Sequence, residues 1–482
     1  MRHMFFFISL MLPVLAGAQD SIVTPTDGPF RFLDAAAVTA VRSAERAPFA
    51  AETLDAEEIA DRNTGQDLPY VLRYTPSVVV TSDAGAGVGY TGLRIRGTDA
   101  TRINVTLNGV PINDSESQAV FWVNMPDLVS STDDIQVQRG VGTSTLGAGA
   151  FGATISLNTL DMSEKAGGAM MVGGGSFNTF RTNLQWSSGR SESGWAAEGR
   201  LSTVQSDGWV DRASSDLSSF QLGLNRAWDG GYMTYTILSG RERTYQSWWG
   251  IPEVALDGTA EEIQTWGQNN GYSERQINDL VQYGRQANYY TYEDEVDNYG
   301  QDHQQLHLQH QIGDWRFSAT GHFTHGEGYY EQFKDGEDLS DYLLPNVVVG
   351  EDTVSTTDLV RRRWLDNDFY GAVIGAERRW ERAALTMGAS ANRYEGGHFG
   401  ELIWAQNAST AGTPNFRYYN NDGIKLDRNV FARFVQRSKD GRLQGQAELQ
   451  YRGVRYETFG TDNDQQAIDV PRDSATFDFL NP

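Results

Sequence analysis

Cysteine is absent from the 482 residues, which excludes a disulfide framework and any thiolate chemistry. Beyond the first 18 residues no uncharged apolar run reaches the 18 residues that a bilayer-spanning helix needs, so no transmembrane helix is expected. Basic residues are few beside acidic ones, 39 against 63, and the formal net charge of -24 repels phosphate backbones, which sets nucleic acid aside as a partner. Histidines number 7 and do not build a metal site. His303, His307 and His310 have helical ligand spacing, yet Leu306 and Leu308 alternate with His307 and Gln309 as on a strand, which turns His310 to the opposite face. His322 and His325 are split in the same way. No Ser, His and Asp grouping, phosphate-binding glycine loop or paired-carboxylate motif stands out, so no catalytic residue, metal or cofactor is assigned and the chain is not read as an enzyme.

What is present begins with an export signal. Residues 1–18 combine a basic start at Arg2, an apolar run from Met4 to Ala16 and a small-residue exit at Ala16-Gly-Ala18, the pattern of a cleaved secretory signal peptide. An aromatic content of 11%, 51 glycines and a mean hydropathy of -0.48 suit a transmembrane β-barrel, whose spanning signal is spread through alternating strands. Past Leu160 that alternation is plain. Phe180, Thr182, Leu184 and Trp186 oppose Arg181, Asn183 and Gln185; Trp315, Phe317, Ala319 and Phe323 oppose Arg316, Ser318, Thr320 and His322; Leu443, Ala447, Leu449 and Tyr451 oppose Gln444, Gln446, Glu448 and Gln450. A soluble sandwich alternates as well, and connection lengths decide between the two. Tight turns at Asp229-Gly-Gly231, Gly313-Asp314, Glu381-Arg382 and Lys439-Asp-Gly441 alternate with long connections at 244–298, 335–361 and 400–427, which is the outer-membrane barrel pattern. About eleven strands are counted this way.

Residues 68–160 have a different texture, with short strands, many glycines and compact turns. Residues 102–107 run into Asn108-Gly109 and leave through Val110 to Ile112, a hairpin signal because both central residues of a type I′ turn need positive φ. Residues 92–97 and 135–138 are further strand candidates, and residues 142–155 are rich in glycine. Gly92-Leu-Arg-Ile-Arg-Gly97, Leu107-Asn-Gly-Val-Pro-Ile112 and Ile135-Gln-Val-Gln-Arg-Gly140 occur in the order seen in TonB-dependent outer-membrane receptors, and this segment resembles their plug domain. The plug motif residues are Arg94, Arg96, Gly97, Asn108, Gly109, Arg139 and Gly140. Val141 and Leu146 depart from the family's final plug motif, which usually has a proline and an aromatic at these places.

The resemblance implies a mainly β chain, with an N-terminal α+β plug inside a transmembrane antiparallel β-barrel. The organisation expected is a signal peptide at 1–18, a periplasmic segment at 19–50, a plug at 51–160 and part of a barrel at 161–482 with long extracellular loops. Within the periplasmic segment Asp34, Ala37, Val38, Thr39, Ala40 and Val41 resemble the TonB box, the strand offered to the energy-coupling protein TonB by β-augmentation. Asp55-Ala-Glu-Glu58 is a capping box that starts a short helix, and Asp67 is placed to cap another before Pro76. By resemblance the plug apex comprises the turn at 83–90, with Asp83 and Tyr90, and the loop at 115–122, with Ser115, Glu116, Gln118, Phe121 and Trp122. Trp248 and Trp249 lead the aromatic loop residues. Acidic runs at 293–297 and 335–341 read as solvated loop faces, and Arg361, Arg362 and Arg363 as contacts to anionic lipid. The expected function is energy-coupled uptake by a monomeric outer-membrane barrel of a scarce ligand, a ferric siderophore or other iron complex, with cobalamin, haem, an oligosaccharide or a non-transporting adhesin as alternatives. A closed plugged transporter has about 22 strands. The chain is therefore expected to form an open wall whose first and last strands do not pair, with an external loop after Tyr456.

Overall fold

The computed structural model describes residues 50–140, 151–159, 161–407, 416–462 and 467–481. The signal peptide, the TonB-box candidates at 34–41 and most of the glycine-rich stretch at 142–155 lie outside those residues.

Seven short strands and two short helices make the N-terminal domain. In chain order they are β1 (Ala50–Leu54), α1 (Ala56–Arg62), α2 (Leu68–Val71), β2 (Val78–Ser82), β3 (Thr91–Ile95), β4 (Ile103–Leu107), β5 (Val110–Pro111), β6 (Asp134–Arg139) and β7 (Ala153–Asn158), to which 3-10 turns are added.

The main sheet has the order β1-β6-β7-β4-β5, in which β4 and β7 run parallel and the other pairs antiparallel, and β2 pairs with β3 beside it. Asn108 (φ 56°) and Gly109 (φ 82°) form the β4–β5 turn with the two positive φ values of type I′. The capping box of α1 is made in both directions, Asp55 Oδ1 accepting from the Glu58 amide at 3.0 Å and Glu58 Oε2 from the Asp55 amide at 3.3 Å. Asp67 does occupy the N-cap of α2, but its side chain accepts instead from Thr91 Oγ1 at 3.0 Å. Pro69 explains part of this, because at the second helical position it has no N–H to offer. Leu54, Ile95, Ile135, Ile155 and Leu157 fill the domain's core at 1% exposure or less.

The remaining strands form one antiparallel sheet of twelve, one more than the sequence count: β8 (Ala166–Gly174), β9 (Phe180–Ser188), β10 (Trp195–Ser206), β11 (Ser215–Trp228), β12 (Gly231–Tyr245), β13 (Val296–Ile312), β14 (Trp315–Asp338), β17 (Thr356–Arg379), β18 (Ala383–Ala405), β19 (Phe416–Arg437), β20 (Gln444–Thr461) and β21 (Ala467–Asn481). A small hairpin, β15 (Val347–Val349) and β16 (Asp352–Val354), sits in the β14–β17 connection. Alternation sets the faces as the sequence predicts. Phe180, Leu184 and Trp186 are exposed while Arg181 and Asn183 are buried, and Phe317 and Phe323 are exposed while Ser318, Thr320 and His322 are buried. Such an apolar outer band over a polar inner face is what a lipid-facing wall requires. The N-terminal domain lies against the inner face and is bonded to strands from β9 to β20.

Three expectations are corrected. β14 and β17 each have 24 residues, so strand takes up both ends of the connection expected at 335–361. Residues 246–295 are not a plain aromatic loop: they carry α3 (Val254–Asp257), α4 (Ala260–Asn269) and α5 (Glu274–Tyr283) around Ala255, Ile263, Leu280 and Ala287. The segment after Tyr456 is no external loop, because β20 continues to Thr461 and β21 pairs along it. Among the described residues β8 pairs with β9 alone and β21 with β20 alone, so the first and last strands do not pair with each other.

Candidate functional site

The inner domain is held to the wall by buried polar contacts. Asp127, in the left-handed region at φ 53°, projects between β9 and β10, where it lies 2.6 Å from the Arg181 guanidinium and 3.7 Å from that of Arg200. Asn183 and Ser202 also donate to it, at 2.7 and 2.5 Å. Asn108, fully buried, accepts from the Thr159 amide at 2.8 Å and donates to Gln305 Oε1 on β13 at 3.0 Å. Across the domain Glu116 receives the hydroxyls of Tyr456 and Tyr394 at 2.6 and 3.1 Å and pairs with His398 at 2.8 Å. Burial alone would raise the Glu116 carboxyl, but these partners outweigh it and hold it below its ordinary range. Lys425 donates to the Ser115 carbonyl at 2.7 Å.

Between this domain and the wall is a cavity of about 540 Å³, at the end of β12 and β13 where the long connections begin. That volume is in the range of small-molecule sites. Its floor is the β2–β3 turn, whose Gly85, Gly87 and Gly89 all have positive φ and bring Tyr90 to the wall. The Tyr90 hydroxyl donates to Asp297, and Asp83 beside it is pushed up to about 6 by burial. Burial first, then the charges of Glu242 and Asp297, push the Tyr90 phenol well above its ordinary value, so it stays a donor. Trp248 forms one side, edge-on to Tyr90 and Tyr330 with ring centroids 5.4 Å away in each case. Arg363 lies on another, donating to the Tyr419 hydroxyl at 3.1 Å and 5.6 Å from the Tyr330 ring centre.

The structure brings Asp83, Tyr90, Phe121 and Trp248 together on the cavity lining. Ser115 and Gln118 lie by a smaller recess with Lys425 and Arg452, and Glu116 is engaged by the wall. Trp122 is different: it is 4% exposed and belongs to the inner domain's core. Trp249 is exposed and packs on Tyr289, outside the cavity. Among the motif residues, Arg94 and Arg96 are exposed, Gly97 and Gly140 have positive φ, and Arg139 donates to the Pro76 carbonyl at 3.1 Å. The run at 361–363 is engaged by protein groups. Arg361 donates to Tyr342 and Gln332, and Arg362 pairs with Glu331 at 2.7 Å. The acidic run at 293–297 is solvated only in part: Glu293 and Asp294 are exposed, whereas Glu295 and Asp297 are buried. His303 and His307 are bonded to Thr324 and Thr320, and among the described residues no group of three metal-ligating side chains is found. Sequence reasoning missed Asp127, Glu242 and Tyr299, and gave Arg363, which lines the cavity, to lipid instead. Alternation places Glu242 and Tyr299 on the inner face, but nothing local says which inner residues meet the inner domain.

Residues 43–154 match the family model of the TonB-dependent Receptor Plug Domain. No curated protein matches the chain in sequence. Among solved structures the fold is similar to that of the ferric citrate transporter FecA in its unliganded form (TM-score 0.65, 12% identity, 90% of this chain and 59% of that one). It is also similar to the ferric-catecholate import receptor Fiu from E. coli K12 (TM-score 0.66, 13% identity, 94% and 65%). A third is the ferric yersiniabactin uptake receptor FyuA from Yersinia pestis (TM-score 0.61, 12% identity, 91% and 62%). The chain thus spans about three-fifths of the length of these proteins.

Proposed function

We propose, for a chain that carries a TonB-dependent receptor plug domain against a wall of the TonB-dependent receptor fold, a role in energy-coupled uptake across the outer membrane. The ligand we assign is a ferric siderophore or similar iron complex. One observation carries the reading: the cavity is closed below by plug residues Asp83, Tyr90 and Phe121 and at the side by Trp248, so a ligand seated there touches the plug and the wall at once. A ligand that touches both biases how they dock, because it shifts an equilibrium only by its differential contacts with the two arrangements. TonB then draws on the segment at 34–41 by adding a strand to it, and the plug rearranges.

Uptake of radioactive iron chelates by cells with and without this receptor tests the reading. Iron limitation is expected to raise its abundance, and a proton uncoupler to stop uptake while leaving binding at the surface. Val38→Pro or Thr39→Pro removes a backbone donor from the coupling strand, so each is expected to abolish uptake and spare binding. Unchanged chelate uptake on deletion would remove iron as the cargo, and normal uptake by both proline variants would move the coupling strand elsewhere or favour the adhesin.

A further inference from the structure

The cavity has more acidic side chains than its own basic groups pair. Asp83, Asp114, Glu242 and Asp297 all line it, and among the described residues none of the four has an ion-pair partner. The two basic groups on the lining are already committed, Arg363 to Tyr419 and Tyr330, and His398 to Glu116. Glu242 is the sharpest case. It is 2% exposed, its Oε2 accepts from Thr244 Oγ1 at 3.2 Å, and its Oε1 is buried with no hydrogen-bond partner. Leaving such an oxygen unpaired costs the full desolvation of the group, which a ligand donor would recover. In the β12–β13 register Glu242 stands opposite Tyr299 and Thr244 opposite Asp297, so the two carboxylates are diagonal neighbours on one face. Rings of Trp248, Tyr90 and Tyr330 stand beside them, and aromatic faces attract cations. The Trp248 indole Nε1 is a second buried atom without a partner, a donor in search of an oxygen. A hard metal ion fits poorly, since it takes six or more oxygens where rings occupy much of the wall.

We propose that this cavity selects a ligand by an organic cation, a protonated amine or guanidinium, seated against Glu242 and Asp297 among the rings of Trp248, Tyr90 and Tyr330, with a neighbouring ligand oxygen on the Trp248 indole. The proposal rests on the receptor reading for its setting and names the ligand class: an iron complex with a pendant amine rather than an anionic one.

The test is equilibrium binding to the receptor purified in detergent from the outer membrane of cells that make it. Three matched probes, 2-phenylethylammonium, 2-phenylethanol and phenylacetate, are titrated at neutral pH, with Trp248→Phe identifying the fluorescence change that belongs to Trp248. The ammonium is expected to bind about tenfold more tightly than the alcohol, and the acetate most weakly. Glu242→Gln is expected to erase the ammonium's advantage and leave the alcohol unchanged. Acetate binding as well as ammonium, no binding of ammonium, or a preference that survives Glu242→Gln would each overturn the proposal. The wild-type probe series decides even if a variant fails to fold. Loss of uncoupler-sensitive uptake with these affinities intact would remove the transport reading and leave the ligand class standing.

Discussion

Asp67 shows what burial does to one carboxylate. It lies at the start of α2 inside the plug, accepts a single side-chain bond from Thr91, and burial pushes it up to about 7, with the Thr91 bond opposing and the charge of Asp127 adding. Its folded value therefore stands above the ordinary 3.8, so between these limits the folded plug binds the proton more tightly than the unfolded chain. Stability is highest where the carboxyl is protonated and falls as pH rises through about 7. At about 1.4 kcal/mol per unit, the loss is on the order of 4 kcal/mol. Asp67→Asn keeps an oxygen for Thr91 and carries no charge, so the plug's urea midpoint is expected to fall between pH 5 and pH 8 in the wild type and to fall less steeply in the variant, where Asp83 still titrates. Equal pH slopes for the two proteins would show that Asp67 does not titrate this way.

At the scale of elements, the segment between β5 and β6 docks the plug, and it does so through charge and close approach together. Asp127 enters the Arg181 and Arg200 pair, while a Cβ on Gly240 of β12 would meet the Asn124 carbonyl at 2.1 Å, so the wall has no side chain where the plug backbone touches it. Asp127→Asn leaves two buried guanidinium groups without their counter-charge, a change that typically costs about 3–5 kcal/mol. The plug is expected to become cleavable by trypsin at lower urea than in the wild type, and an unchanged threshold would assign docking to other contacts. Little of this was legible beforehand, because Asp127 and Arg181 are 54 residues apart and no local pattern joins them. What was legible follows from burial on one side. β9, β14 and β20 wrote a period of two into their sequences, and Asn108-Gly109 wrote the turn. The helices α4 and α5 had written their starts too, in the capping boxes Thr259 to Glu262 and Ser273 to Gln276, but the aromatic clusters drew the reading toward an irregular loop. β21 was hidden by Pro471 and its acidic residues; Pro471 falls between Ile468 and Asp473, where the pairing with β20 shifts register, and a bulge tolerates proline because no ladder bond is donated there. Tyr90 and Asp297, 207 residues apart, meet only once plug and wall are folded.

For the whole molecule, the wall's two edges pose a physical problem that its faces do not. Along β11 each residue from Ser215 to Arg226 is matched on both sides, by β10 and by β12. On β8 and β21 one side is matched and, among the described residues, the other is not. On the outer face at these strands Met170, Val172 and Leu480 are exposed, so the unmatched N–H and C=O groups lie at the level of lipid. Each such group left without a partner in hydrocarbon costs several kcal/mol, and a spanning sheet survives only when its edges are closed. Where the wall spans a membrane, both edges are therefore expected to meet further antiparallel backbone. Amide hydrogen exchange on the receptor in its native outer membrane reads this directly, because a paired amide exchanges slowly whoever its partner is. Amides of β8 and β21 are expected to be protected as strongly as those of β11. Rapid exchange along β8 beside slow exchange along β11 would mean that the edge faces water, and that the wall stands open in the membrane.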